Sequence, residues 1–244
     1  MPEGPTIVIL KEAVQQFKGK KIIEASGNSK KVDINLLNGQ TITNFKSWGK
    51  HFLICFPEFT IRIHFMLFGS YRINEHADKP ARLHLQFDNG ELNFYACSVM
   101  LITQPLDEVY DWSVDVMNPA FDHEKAFIKL KEKPEMLACD AILDQHIFSG
   151  AGNIFKNEVL FRIRVHPASL TGKLPDQKLH ELVTETVNYA FDFLTWKKQF
   201  MLKKHWLAHT KTICPRDHVR FHKEVMGKTH RRTFYCDICQ FIYK

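Results

Sequence analysis

The stretch DQHIFSGAGNIFKNEVLF, residues 144–161, places a compact turn between two helical runs. Gly150 and Gly152 permit positive φ angles and a close approach of the backbone, and Asn153 can cap the helix that follows. The backbone amides at the start of that helix would form a site for phosphate. An ordinary helix–helix corner carries the same residue types, so this stretch alone predicts a helical hairpin and leaves its role open.

Helical patterns extend on both sides of this turn. Apolar residues recur at helical spacing over 121–133, 134–145, 152–165 and 176–198. Prolines separate these runs, as is typical where helices begin or end: Pro119, Pro134, Pro167 and Pro175. We therefore expect a helical domain over residues 116–205.

The N-terminal part carries strand signals after one short helix. The runs HFLICF (51–56) and TIRIHFML (60–67) are rich in β-forming residues. The Asn-Gly pairs at 38–39 and 89–90 each lie between apolar runs and predict tight hairpins. We expect an antiparallel β-sandwich over residues 1–115, so the fold class is α+β.

Charge is concentrated at the C-terminal end. The chain has 244 residues and a net charge of +6, and residues 197–244 hold 12 Lys and Arg against 3 Asp and Glu. A basic segment on a slightly acidic body favours a polyanion as the partner. A solvated lysine-rich face would have the same composition, so charge alone does not decide between them.

The same basic segment has the cysteine spacing of a zinc site. Three cysteines would supply thiolates from the two arms of a hairpin: Cys214, Cys236 and Cys239. A tetrahedral site needs a fourth ligand, and we favour His218 because imidazole suits zinc better than one carboxylate among thiolates. Asp217, which lies where a second C-x-x-C pair would have its cysteine, is the alternative. Two further histidines are weaker candidates: His222 and His230. We expect the metal to fold a hairpin over residues 206–244 and to do no chemistry.

The rest of the composition bounds the class of protein. The chain shows no signal-peptide pattern and no long apolar run, so we expect a soluble protein of the cytoplasm with no membrane partner. The remaining cysteines lie in apolar stretches and are interpreted as buried thiols: Cys55, Cys97 and Cys139.

Several separate stretches together resemble one family. The N-terminal PEGP, WGKHFL around Lys50, HFMLFGSYRI (64–73), GAGNIFKNEVLF (150–161) and RRTFYCDICQ (231–240) occur in the order of the formamidopyrimidine-DNA glycosylase and endonuclease VIII family of base-excision repair. The family fold has an N-terminal β-sandwich, a helix–two-turn–helix domain and a zinc finger. The resemblance implies a monomeric enzyme that acts on damaged duplex DNA, found with the nucleoid in a bacterium, and that carries one structural Zn²⁺.

The resemblance also implies the catalytic residues. Once Met1 is removed, Pro2 has a free secondary α-amine, and an α-amine titrates near about 8, which leaves a useful fraction unprotonated. In this family that proline is the nucleophile, which forms a covalent iminium with C1′ of a flipped-out nucleotide. Glu3 corresponds to the catalytic acid/base, and Lys50 to a lysine that grips phosphate near the lesion. The implied activity is that of a bifunctional glycosylase and AP lyase that nicks DNA by β,δ-elimination.

The implied DNA-binding residues lie in three separate motifs. Asn153 corresponds to the phosphate ligand of the helical turn, and Arg231 to the arginine of the zinc finger. His64 corresponds to a histidine on the strand beside the lesion. Without the family pattern, Lys50, His64 and Arg231 would be interpreted as a strand end, a core histidine and surface charge.

This chain departs from the family pattern at several positions. Thr6 replaces a glutamate that handles the sugar, which motivates an alternative function as a catalytically reduced protein that binds damaged DNA. The stretch ACSVM (96–100) lacks the arginine with which 8-oxoguanine enzymes contact the orphan base. The endonuclease VIII branch instead inserts consecutive side chains from one loop, which here are Met66, Leu67 and Phe68. We therefore expect oxidised pyrimidines as substrates more than purines.

Overall fold

The computed structural model describes residues 2–244, and Met1 lies outside them. The chain forms two compact units, one that ends at Asp111 and one that runs from Trp112 to Lys244. An antiparallel sheet in the first unit and helices with a β-hairpin in the second confirm the α+β fold class. No helix in residues 2–244 combines the length and apolar character that a membrane crossing requires.

The first unit is one helix against a six-stranded antiparallel sheet of strand order β1-β5-β6-β4-β3-β2. The elements are α1 (Gly4–Ala13), β1 (Glu24–Ser26), β2 (Asn44–Trp48), β3 (His51–Cys55), β4 (Thr60–Ile73), β5 (Leu83–Phe87), β6 (Gly90–Ile102) and a one-turn helix α2 (Leu106–Val109). Two long strands, β4 and β6, pair with each other and carry two shorter strands each. Ile7 and Leu10 of α1 are buried in the same apolar core as the inward side chains of the sheet.

One of the two predicted Asn-Gly hairpins is confirmed and the other is wrong. Phe87 pairs with Gly90 across a two-residue turn that joins β5 to β6, as the second pair predicts. At the first pair, residues Ile34–Leu37 form a 3₁₀ helix instead of a strand. The Asp33 carboxylate accepts the Asn35 N–H at 3.0 Å, which starts this helical turn.

The second unit is built from the four predicted helices. They are α3 (His123–Lys131), α4 (Ala138–Leu143), α5 (Asn153–Arg162) and α6 (Asp176–Lys198), followed by the hairpin strands β7 (His222–Met226) and β8 (Arg231–Tyr235). In α6, the apolar positions Leu179, Leu182 and Val183 follow helical spacing and are buried. They pack into one core with α3, α4 and α5.

Candidate functional site

The first residues of the chain are held in place at the start of α1. Glu3 occupies the N-cap position and is only 2% exposed. The Thr6 hydroxyl accepts the Glu3 N–H at 3.0 Å and donates to the Glu3 carbonyl at 2.7 Å. Pro5 lies in the first helical turn, where its missing N–H costs nothing. Pro2 therefore precedes a fixed residue.

This geometry gives Thr6 a structural role. A threonine three residues after the N-cap can bond the backbone of the cap residue through its short side chain, as Glu or Gln does in a capping box. The departure at Thr6 therefore keeps the Glu3 backbone anchored. It places a hydroxyl at a position where the family pattern has a carboxylate.

A cluster of cations and histidines lies on one face of the sheet beside Lys50. Lys50 is in the two-residue turn between β2 and β3, and the next residue, His51, pairs with His64 of β4. The two imidazole centroids are 5.2 Å apart, and the His51 Nδ1 lies 3.2 Å from the Tyr110 hydroxyl. Arg62, two residues before His64, lies on the same face of β4.

Burial and the neighbouring cations disfavour the charged form of both imidazoles. Burial, with help from Arg62, His64 and Lys50, lowers the pKa of His51 to about 3. Burial also lowers the pKa of His64, and Lys50 and Arg62 lower it further. The cluster therefore presents fixed positive charge from Lys50 and Arg62, which suits an anion. Neither His51 nor Arg62 was expected from the sequence, although the two-residue spacing of Arg62 and His64 places both on one face of a strand.

The three apolar residues that follow on β4 are exposed on a bulge. Phe65 pairs with Cys97 and Ser70 pairs with Tyr95, so four residues of β4 lie opposite Ala96 alone. Met66 is 56% exposed, Leu67 52% and Phe68 81%. These side chains are therefore outside the core of the sheet. Gly69 closes the bulge, because a Cβ there would lie 2.7 Å from the Phe65 Cβ and 2.9 Å from the Ala96 carbonyl oxygen.

In the second unit, the turn before α5 differs from the expectation at one residue. The N-cap of α5 is Gly152, and Asn153 is already the first helical residue, so the prediction that Asn153 caps this helix is wrong. Its side-chain N–H instead donates to the Arg232 carbonyl of β8 at 3.1 Å. Gly150 has a φ of 101°, a value that favours glycine. The turn thus connects directly to the hairpin that carries Arg231.

A buried lysine makes a second connection between α5 and the hairpin. Lys156 is 1% exposed, and its Nζ donates to the Thr233 hydroxyl at 2.7 Å and to the Arg232 carbonyl at 3.1 Å. Burial, helped by the nearby Arg231 and opposed by Cys139 and Asp140, lowers the pKa of Lys156 to about 8. Asn153 and Lys156 therefore fix the strand beside Arg231 from the same helix. A lysine in an apolar helical run is the only sequence signal of this role.

The cysteines of the tail meet in a compact group with one carboxylate. One ligand atom from each of four residues lies within 4.8 Å of all the others: Cys214, Asp217, Cys236 and Cys239. The Cys214 and Cys239 sulfurs are 3.8 Å apart, and the Asp217 Oδ2 lies 3.3 Å from the Cys214 sulfur and 3.2 Å from that of Cys236. Burial raises the pKa of Cys239 to about 12, so without a cation its thiol stays protonated.

These separations fit a tetrahedral zinc ion. With zinc–sulfur bonds of about 2.3 Å and a zinc–oxygen bond of about 2.0 Å, tetrahedral geometry separates two sulfurs by about 3.8 Å and a sulfur from the oxygen by about 3.5 Å. Three thiolates and one carboxylate exceed the charge of Zn²⁺ by two. The Arg216 guanidinium, 3.8 Å from the Cys239 sulfur, offsets part of this excess.

The structure corrects the preferred fourth ligand. The group contains Asp217 and does not contain His218, which we favoured, nor His222 or His230. The His218 N–H closes a turn onto the Cys214 carbonyl at 3.0 Å with a φ of 57°, and this residue is exposed. Asp217 lies three residues after Cys214, the same spacing that separates Cys236 from Cys239 in the group. The C-x-x-D spacing was the sequence signal, and chemical preference for imidazole misled the choice.

Two family models match this chain, one in each of its two compact units. A family model for the formamidopyrimidine-DNA glycosylase N-terminal domain matches residues 1–97, and a model for the H2TH domain of the same glycosylase matches residues 113–192. The chain belongs to the formamidopyrimidine-DNA glycosylase and endonuclease VIII family. The resemblance that the sequence motifs indicate is thereby confirmed.

Members of this family from vertebrates align with most of the chain. It is 29% identical to endonuclease 8-like 3 of Mus musculus over 217 residues, which are 85% of this chain and 36% of the relative. It is 32% identical to endonuclease 8-like 2 of Mus musculus over 196 residues, which are 74% of this chain and 57% of the relative. The alignments therefore span between about a third and somewhat over half of these relatives.

Solved structures of the family share the fold over its whole length. Lactococcus lactis formamidopyrimidine-DNA glycosylase, bound non-covalently to DNA with an AP site, superposes with a TM-score of 0.86 at 22% identity and covers 98% of this chain and 99% of that one. A viral DNA glycosylase gives a TM-score of 0.83 at 22% identity, with 98% of this chain and 100% of that one covered. These likenesses establish the fold.

Proposed function

We propose that this protein is a DNA glycosylase and AP lyase of base-excision repair, which acts on damaged duplex DNA with Pro2 as its nucleophile. The observation that carries the proposal is the start of α1, where Thr6 anchors Glu3 directly after Pro2. Family membership supports the reaction type. Such an enzyme works in a DNA-containing compartment, which in a bacterium is the cytoplasm with its nucleoid.

The chemistry follows from a secondary amine beside a buried carboxyl group. After removal of Met1, the Pro2 nitrogen attacks C1′ of the damaged nucleotide, and the bond from C1′ to the base breaks. Glu3 as an acid protonates the ring oxygen of the sugar as the ring opens, which leaves a cationic iminium between Pro2 and C1′. The cation acidifies the C2′ proton. Its loss expels the 3′ phosphate, and a second elimination releases the 5′ phosphate.

The DNA would be held by residues of both units. Lys50 and His64 lie in the cationic cluster on the sheet face, which suits the phosphate groups beside the lesion. Asn153 and Arg231 would bind further phosphates at the start of α5 and on β8. The exposed trio at Met66, Leu67 and Phe68 would fill the gap left by the flipped nucleotide.

Zinc would act as a structural ion at Cys214, Asp217, Cys236 and Cys239. These ligands join the loop before β7 to the segment after β8, which is too small to form a core of its own. Bound metal would therefore stabilise the hairpin that presents Arg231. The ion would supply no catalytic group.

We propose oxidised pyrimidines as the preferred substrates. Apolar side chains at 66–68 support the base stack but cannot donate hydrogen bonds to the orphan base, so discrimination between orphan bases should be weak. The excision rates on duplexes with thymine glycol or dihydrouracil, compared with 8-oxoguanine opposite cytosine, test this preference. A clear preference for 8-oxoguanine or a strong dependence on the opposite base would contradict it.

Borohydride trapping on a duplex with an abasic site tests the central step. The protein without Met1 should form a covalent adduct, and Pro2→Gly and a form that retains Met1 should each trap much less. Pro5→Ala, three residues further along, is the matched control and should trap like the unmodified protein. Equal trapping by the Met1-retaining form would refute Pro2 as the nucleophile.

The second candidate function is binding of damaged DNA with reduced catalysis. Thr6, in place of the glutamate expected from the family pattern, favours it. An abasic duplex separates the two candidates, because an enzyme nicks the strand and a binding protein only retards its migration.

A further inference from the structure

The tail hairpin has a second cationic surface, on the face of β8 opposite to Arg231. A groove of about 620 Å³ lies between the hairpin and the loop before β7. We call it the outer groove. The residues that line it include four cations and two aromatic side chains: Lys211, Arg220, Lys223, Arg232, Phe221 and Phe234.

Strand register explains why the outer groove is separate from Arg231. On the paired strands β7 and β8, Met226 lies opposite Arg231 and Glu224 opposite Thr233, and these side chains share one face. That face packs on α5, since Lys156 bonds the Thr233 hydroxyl. Lys223 lies opposite Phe234 and Val225 opposite Arg232, which places these four on the other face. Consecutive arginines therefore serve two different surfaces.

The charged residues that line the outer groove are all positive. None of its lining residues is acidic. Among residues 2–244, no carboxylate forms an ion pair with its four cations, and the nearby Glu224 accepts the Tyr235 hydroxyl at 2.9 Å on the opposite face. Unpaired cations along one concave wall produce a positive potential that attracts a polyanion.

The walls also contain apolar surface. Ile213, on the bridge that joins the loop's two arms, is 47% exposed, and Phe221 is half-buried beside it. A strand of nucleic acid has phosphates for the cations and sugars and bases for such apolar groups. An acidic peptide offers charge but no repeating apolar ring to match it.

We propose that the outer groove binds the sugar–phosphate backbone of a DNA strand, at phosphates other than those held by Asn153 and Arg231. The proposal rests on the proposed function, because that function brings DNA to the hairpin through Arg231. It adds a second set of contacts, which would anchor DNA away from the lesion. The site would be insensitive to base sequence and strongly dependent on salt.

The test is the salt dependence of DNA binding by the full-length, zinc-loaded protein. The probe is a fluorescent duplex with a tetrahydrofuran abasic analogue, and the variant is Arg220→Gln with Lys223→Gln. Each lost phosphate contact makes the negative slope of log K against log salt less steep by about 0.9. The slope of the double variant should therefore be less steep by about 1.8. The matched control is Lys203→Gln with Lys204→Gln, an exposed pair of lysines outside the lining, which should keep the original slope.

Further measurements distinguish failure of the outer-groove proposal from failure of the proposed enzymatic function. The charge-preserving variant Arg220→Lys with Lys223→Arg should restore the slope, and zinc content equal to that of the unmodified protein shows that folding is intact. If the double glutamine variant traps DNA normally and its slope is unchanged, DNA binding by the outer groove is refuted and the proposed enzymatic function is not. A reduced slope in a protein that never traps DNA would support the groove and refute the enzyme. Competition by polyglutamate that equals competition by single-stranded DNA would overturn the choice of a DNA backbone.

Discussion

Replacement of Asp217 should remove zinc from the tail, whereas replacement of its neighbour His218 should not. The Asp217 oxygen lies 3.2 and 3.3 Å from two sulfurs, close to the separation of about 3.5 Å expected for ligands of one zinc ion, and His218 lies outside the group. Structural zinc contributes about 10–16 kcal/mol through four ligands, so one ligand is worth about 3 kcal/mol. Asp217→Ala should therefore weaken zinc binding by roughly a hundredfold, since about 1.4 kcal/mol is a factor of ten.

The assay is competition for zinc against a chromophoric chelator at neutral pH. His218→Ala is the matched control and should bind zinc like the unmodified protein. Asp217→Cys should keep the metal, because the two contacts need to lengthen only to the 3.8 Å that already separates Cys214 and Cys239. If His218→Ala weakened binding a hundredfold and Asp217→Ala did not, the assignment of ligands from the structure would be wrong.

Three further outcomes are expected. Leu67→Ala should slow excision from duplex DNA more than from single-stranded DNA, because only the duplex has an opposite strand to support; equal slowing of both would contradict this role. The pKa of Lys156 is about 8 in the folded protein and near about 10.4 when unfolded, so the unfolded chain binds more protons between these values. Raising the pH from about 8 to 10.4 should therefore increase the free energy of unfolding in urea by about 3 kcal/mol more than in Lys156→Met. If the free energies of unfolding of the two proteins changed in parallel with pH, the lowered pKa of Lys156 would be refuted. Thr6→Ala should reduce trapping on abasic DNA and lower the thermal midpoint by a few degrees, since it frees the Glu3 backbone, while Thr6→Ser should restore both.

The same sequence pattern had opposite outcomes at two places, which shows the limit of local reasoning. Beside the Asn-Gly pair at 89–90 the expected hairpin forms, with Asp88 and Asn89 as its turn and Gly90 paired with Phe87, because both flanking runs find partners in the sheet. At residues 38–39 the preceding run is a 3₁₀ helix, and the Asn38 side chain accepts the Ala25 N–H at 2.6 Å. Turn residues therefore predicted a change of direction, and long-range pairing decided what was joined.

The sequence by itself determined the features that depend on periodic spacing or on the order of motifs along the chain. Helical periodicity predicted α3 to α6, runs of β-forming residues predicted β3 and β4, and the C-x-x-C pair predicted the hairpin site. The ordered motifs from Pro2 to Cys239 indicated the family, because the order of motifs along the chain does not depend on the local conformation of any one of them.

The tertiary structure alone decided which atoms meet. Asp217 and not His218 reaches the three sulfurs, because a tight turn onto the Cys214 carbonyl directs the chain away after Asp217. The partners of Lys156 lie on β8, far away in sequence, so no local pattern reveals them. Arg231 and Arg232 are adjacent in sequence yet serve opposite faces, and only the register of β7 against β8 assigns each one. Spacing along a chain fixes periodic structure, whereas a site requires distances of a few ångströms between residues that only the complete fold brings together.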